Sequence, residues 1–124
     1  MNEKIYTEKA PAAIGPYSQA VKCGNMLFCS GMMPVIPETN ELAESDINVQ
    51  SAQIMRNIDA LLNHAGYTVD DVVKTTCFLS DIANFAAFNE VYAQYFTSKP
   101  ARSCVAVRDL PKGALVEVEV IASK

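Results

Sequence analysis

Histidine occurs once in the 124 residues, at His64. No Ser-His-Asp relay can be built around it. It falls just before Gly66, in the last turn of a predicted helix, where the negative end of the helix dipole favours a cation, so it reads as structural. The four cysteines, Cys23, Cys29, Cys77 and Cys104, form no C-x-x-C pair and have no histidine at ligand spacing. That pattern signals neither a zinc site nor a redox pair, and leaves free thiols. Clustered positive charge is missing too: ten Lys and Arg are scattered against 14 Asp and Glu, a net charge of -4. A nucleic-acid footprint needs basic residues gathered on one face. No apolar run is long enough to span a bilayer, and Met1 to Tyr6 lacks the apolar region of a signal peptide, so a cytoplasmic location is expected. Repeats and low-complexity segments are absent.

What is present is a core. Half of the residues are hydrophobic, which excludes disorder, and the length suits one domain, residues 1–124, without disulfide or metal staples. Residues 1–16, with Lys9 to Pro16 rich in proline and alanine, read as an ordered loop. Tyr17 to Cys23 and Met26 to Ser30 read as strands joined by a Gly24-Asn25 hairpin turn. Met32 to Glu44 reads as a loop, and Ser45-Asp46 offers an N-cap. Ala52, Met55, Ile58, Leu62 and Ala65 then recur at helical spacing and stop at Gly66.

Val72 to Leu79 is a strand rich in β-branched and aromatic residues. Ser80-Asp81 caps a second helix, whose Phe85, Phe88, Tyr92, Tyr95 and Phe96 share a face and belong to the core. Strands, helix, strand, helix, strands in that order predict an α+β domain with both helices on one face of the sheet.

The C-terminal stretch carries the chemistry. Pro100 to Val107 and Leu115 to Ile121 both alternate apolar and polar residues, with Pro111-Lys112-Gly113 between them. They read as a β-hairpin in which Cys104 lies opposite Glu119 and Arg102 is on the diagonal. One face would hold Val105, Val107, Val116, Val118 and Val120, the other Arg102, Cys104, Glu117 and Glu119. The polar face can be a surface salt-bridge ladder contributing about 0.2 to 1 kcal/mol per pair, or an anion site. Pro100 fixes the start of the strand, and the small neighbours Ala101 and Ser103 leave the Arg102 fork open to a carboxylate. Such a face, which also carries Ile121, calls for cover by other subunits in a closed symmetric assembly.

Lys9 to Val21 (K-A-P-A-A-I-G-P-Y-S-Q-A-V), Ser30-Gly31, the Asn84 to Tyr92 helix, P-A-R-S-C-V and L-P-K-G-A-L-V-E-V-E-V-I-A resemble the RidA family, also called the YjgF/YER057c/UK114 family. The resemblance implies a chorismate-mutase-like fold, a mostly antiparallel sheet with two helices on one face, and a homotrimer with clefts between subunits. It also implies hydrolytic deamination of reactive 2-imino acids and their enamine tautomers to 2-keto acids and ammonia. By the same resemblance Arg102 grips the substrate carboxylate, and the Cys104 backbone amide and Gly31 seat the substrate. Tyr17 and Ser30 line the pocket, with Tyr17 a candidate proton relay; Asn89 lies nearby and Glu119 holds the attacking water. Glu117 is left as a structural partner for a cation. Met32-Met33 and the short Thr97-Ser98-Lys99 link depart from the family pattern and bear on side-chain preference.

An imine carbon is already electrophilic, so this chemistry needs orientation, a water and proton handling, with no metal or organic cofactor. Cys104 as a nucleophile would need a base and a low pKa that the sequence does not supply. Two further readings stay open: a non-catalytic sensor or carrier of small carboxylates using the same Arg102 pocket, and a nucleic-acid-directed role, against which the acidic charge counts.

Overall fold

The computed structural model describes residues 1–124. Eight strands and two helices follow one another as β1 (Glu3–Ile5), β2 (Ala20–Cys23), β3 (Met26–Cys29), β4 (Val35–Ile36), β5 (Glu41–Leu42), α1 (Ile47–His64), β6 (Val72–Leu79), α2 (Phe85–Tyr95), β7 (Ala101–Ala106) and β8 (Val116–Ser123). Six of the strands build one sheet in the order β1-β2-β3-β8-β6-β7, and β4 and β5 form a small separate ribbon. Every pairing is antiparallel except β6 with β7.

Local chemistry accounts for most boundaries. Gly24 takes a φ of 60° and closes the β2–β3 turn. The Asp46 carboxylate accepts from the amides of Asn48 and Val49 at 2.9 and 3.1 Å, so α1 starts where the cap was expected. Asp81 accepts from Ala83 N–H at 2.9 Å and opens the 3₁₀ turn Ile82–Asn84 that leads into α2. Ile54, Ile58, Leu61 and Leu62 of α1 and Phe88, Tyr92 and Phe96 at the end of α2 are buried with Val116, Val118 and Val120 of β8. Both helices therefore cover one face of the sheet, as the element order predicts. No helix is long and apolar enough to cross a membrane.

The C-terminal ribbon differs from its sequence reading. β7 and β8 are not neighbours: β6 lies between them, antiparallel to β8 and parallel to β7. Parallel strands require a crossover of a dozen or more residues, and the segment from Ser80 to Pro100 with its helix supplies one. Cys104 therefore pairs with Cys77, and Glu119 with Thr76. The faces change accordingly. Arg102 pairs with Thr75, which pairs with Val120, so Arg102 and Cys104 lie on the helix-covered face. Val105 shares the open face with Phe78 and Glu117. That open face is left bare within the chain: Phe28 is 42% and Val105 47% exposed.

Candidate active site

Two clefts lie on opposite sides of the sheet, and the expected site residues divide between them. The larger, about 680 Å³, is lined by Tyr17, Ser30, Gly31, Glu117 and Glu119 together with Met33, Asn40 and Lys112. The smaller, about 510 Å³, is lined by Arg102, Asn89, Tyr92 and Lys99 among others. Arg102 and Glu119, expected side by side, are thus on different faces of one chain. Period-two alternation orders residues within a strand but does not say which strand lies next to it.

The larger cleft begins with an irregularity. β3 pairs with β8 through Phe28 and Ile121, and the pairing resumes at Met32 and Val118 with one extra residue on the first chain segment. The bulge at Cys29, Ser30 and Gly31 turns these residues out of the ladder. Met32 N–H donates to Val118 O at 2.7 Å and Val118 N–H returns to Met32 O at 3.2 Å, which lays Gly31 under the neighbouring Glu117. A Cβ at position 31 would overlap the Glu117 carboxylate. Gly31 is the residue that lets this carboxylate lie flat on the backbone.

The walls are held by amide side chains that sequence periodicity did not single out. Gln19 is buried and donates to Thr7 O, Ala10 O and Pro11 O while accepting from Thr7 N–H at 2.7 Å. It pins the loop that carries Tyr17, whose hydroxyl accepts from Ile14 N–H at 3.3 Å. From α1, Asn57 donates to Met33 O and Val35 O at 3.2 and 2.8 Å, and Gln50 accepts from Leu115 N–H at 2.8 Å while donating to Ala43 O. The helix thereby holds the β4–β5 segment against the start of β8. Ser30 spends its hydroxyl proton on Ser18 O at 2.6 Å, so toward the cleft it can act as an acceptor.

Glu117 has no cation beside it, contrary to the role first given it; the ion pair in the chain is the exposed Arg108–Asp109. Burial, and secondarily the charge of Glu119, raise the Glu117 pKa above the usual carboxylate range. Of the two glutamates, Glu117 packs over Gly31 and has the perturbed proton affinity expected of a proton-transfer group. Nothing in the Val-Glu-Val-Glu alternation could distinguish it from Glu119.

In the smaller cleft, Arg102 Nη1 donates to Asn89 Oδ1 at 2.6 Å. No carboxylate of its own chain pairs with it. Val107 N–H donates to Leu79 O at 2.8 Å. By the alternation of a parallel ladder, the odd-numbered residues of β7 turn their peptide groups to β6. Arg102, Cys104 and Ala106 turn theirs out from this edge strand. The Cys104 amide is therefore a free donor beside the guanidinium. Burial raises the Cys104 thiol pKa, which suits a backbone role better than a nucleophilic one.

Backbone strain concentrates at the same places. The three non-glycine residues with positive φ are Asn40 and Lys112 at 60° and Lys99 at 57°. Asn40 and Lys112 line the larger cleft and Lys99 the smaller. Left-handed backbone at non-glycine positions is uncommon and gathers where a rim must be shaped for a ligand.

The endoribonuclease L-PSP family model matches residues 7–124. A RutC family protein of Pyrococcus horikoshii is 53% identical over 100% of this chain and 99% of its own length. The 2-iminobutanoate/2-iminopropanoate deaminase of Salmonella typhimurium is 47% identical, with 98% of each chain covered. The crystal structure of E. coli TdcF with bound serine superposes with a TM-score of 0.93 at 43% identity, again covering 98% of each chain.

Proposed function

The chain belongs to the endoribonuclease L-PSP family, and on that premise we propose that it hydrolyses 2-imino acids to 2-keto acids and ammonia in a cleft that two copies build together. The carrying observation is Arg102: half-buried, fixed by Asn89, and without a carboxylate of its own chain to pair with. A guanidinium held in place and left unpaired beside a free strand-edge amide is a receptor for an anionic ligand with planar geometry. The relative from Salmonella that is named a deaminase acts on small 2-imino carboxylates, and the serine in TdcF has the same carboxylate and α-nitrogen.

Since the anion receptor and the carboxylate pair lie on opposite faces, a complete site takes the β7 edge of one copy and the Gly31–Glu117 cleft of the next. A ring of three copies about a threefold axis closes such a head-to-tail contact and covers the exposed Phe28 and Val105. In that cleft Arg102 and the Cys104 amide hold the carboxylate and Ser30 accepts from the imine N–H. Glu117 takes a proton from water as its oxygen attacks the imine carbon. Glu117 hands that proton to the nitrogen as the C=N bond becomes the C–N single bond of the carbinolamine. Tyr17 passes a further proton to nitrogen, the C–N bond breaks, ammonia leaves, and the C–OH becomes the keto group by giving its proton back to Tyr17. The reaction consumes one water and needs neither oxidant nor reductant.

Turnover separates this reading from a carboxylate sensor. 2-Iminobutanoate made in situ by threonine dehydratase and trapped with semicarbazide should disappear faster in the presence of the protein, with more 2-oxobutanoate and less trapped imine. A trapped yield equal to that of the protein-free control would leave only the binding role.

A further inference from the structure

We infer that Phe85, Asn89 and Tyr92 of α2 form a cage that fixes the plane of the Arg102 guanidinium, and that Tyr92 is its positioning residue. The inference rests on the reading that Arg102 receives the substrate carboxylate. The three residues are spaced i, i+4 and i+7, one stripe of the helix facing β7. Arg102 Cζ stands 4.7 Å from the Tyr92 ring centroid and 5.6 Å from that of Phe85, and Nη1 is bound to Asn89 Oδ1 at 2.6 Å. The Tyr92 hydroxyl shares a hydrogen bond of 2.7 Å with Thr75 Oγ1, on the fully buried residue that pairs with Arg102 in the ladder. Phe96 and Phe88, with centroids 4.6 and 5.7 Å away, hold the ring from the helix side.

Packing alone would be met by leucine at position 92. What the aromatic ring adds is a face turned to the cation, held by Phe88 and Phe96 and tied further at its far end to Thr75. Asn89 engages Nη1, so the Nε and Nη2 N–H groups form the edge left for a carboxylate to meet with both oxygens. An arginine already held in that orientation loses less side-chain freedom when the ligand arrives.

The test uses the intact protein, with 2-oxobutanoate binding measured by calorimetry beside steady-state kinetics on 2-iminobutanoate. Tyr92→Leu should weaken 2-oxobutanoate binding and raise KM by about tenfold while kcat stays within about threefold, because the lost contact acts on ground-state and transition-state carboxylate alike. Tyr92→Phe, which keeps the ring, should stay within about threefold of wild type in both. A folded Tyr92→Leu that binds like wild type overturns the cage, and so does a Tyr92→Phe that loses as much as Tyr92→Leu. If Tyr92→Leu does not fold, Phe85→Leu at the partly exposed ring takes its place: severalfold weaker binding supports the cage and unchanged binding overturns it. If wild type binds the keto acid but turns nothing over, the proposed reaction falls while the affinity ratios still decide the cage.

Discussion

Replacing Arg102 by alanine is expected to cut kcat/KM for 2-iminobutanoate by about thirtyfold to several thousandfold, since truncating one side of a hydrogen-bonded charge pair out of bulk water costs about 2 to 5 kcal/mol and each 1.4 kcal/mol is about tenfold. Arg102→Lys should lose about tenfold or more. Asn89 and the aromatic rings are arranged for a planar group, and an ammonium cannot donate to Asn89 Oδ1 while presenting two parallel N–H groups to a carboxylate. Neither change should unfold the chain, because Arg102 lies on the edge strand β7 and is not one of the buried core residues. Thermal melts of both variants beside wild type check this. Activity within about threefold of wild type in a folded Arg102→Ala would remove the guanidinium from the site.

Glu117→Gln is expected to lose about a hundredfold to ten-thousandfold in kcat, the usual range for a general base, while still binding 2-oxobutanoate. The pH dependence is specific to this carboxyl. Burial and the charge of Glu119 raise its pKa in the folded chain, so the wild-type rate should fall on acidification at a higher pH than an ordinary carboxylate would give. Glu119→Gln removes the like charge and should move that acid limb to lower pH, with a smaller loss of rate. Stability runs the other way. A carboxyl that binds its proton more tightly when folded than when unfolded favours the folded state below the unfolded pKa. That advantage is lost as pH rises through the folded value. Glu117→Gln should therefore melt at or above the wild-type temperature at neutral pH, and the difference should shrink in acid. An inactive Glu119→Gln beside a fully active Glu117→Gln would reverse the two roles.

How far the sequence could be read follows from the range of each signal. The Asp46 cap, the spacing of Met55, Ile58 and Leu62, and the β-branched run Val72 to Leu79 are local patterns, and the elements they specify lie where expected. The Gly24-Asn25 turn is local too, though β2 starts at Ala20 rather than at Tyr17. β1 and the β4–β5 ribbon fall in segments whose sequence reads as loop, because strands of two or three residues are too short to show a period. The pairing of β7 depends on a strand more than twenty residues earlier, and alternation in β7 and β8 fits a hairpin as well as it fits two strands separated by β6. The error in pairing also misplaced the faces. The resemblance names side chains of which Tyr17, Ser30, Gly31 and Glu119 line one cleft and Arg102 and Asn89 the other. It could not show that one chain keeps the two sets apart. Gln19, Gln50 and Asn57 went unread for a different reason: polar residues are assigned to the surface by default, and only tertiary contacts show that these three tie loops to the core.

The separation of the two sets gives the measurement that bears most directly on a cleft built by two copies. Arg102→Ala and Glu117→Gln, each expected to be nearly inactive alone, are unfolded together, refolded as a one-to-one mixture and assayed for loss of 2-iminobutanoate. In a cyclic trimer with each site shared between neighbours, random mixing pairs an intact Arg102 with an intact Glu117 at about a quarter of the sites. About a quarter of wild-type activity should return on mixing, against a few per cent at most in either variant refolded by itself. A mixture that stays as inactive as its components, although light scattering finds the same mixed trimers, would contradict it.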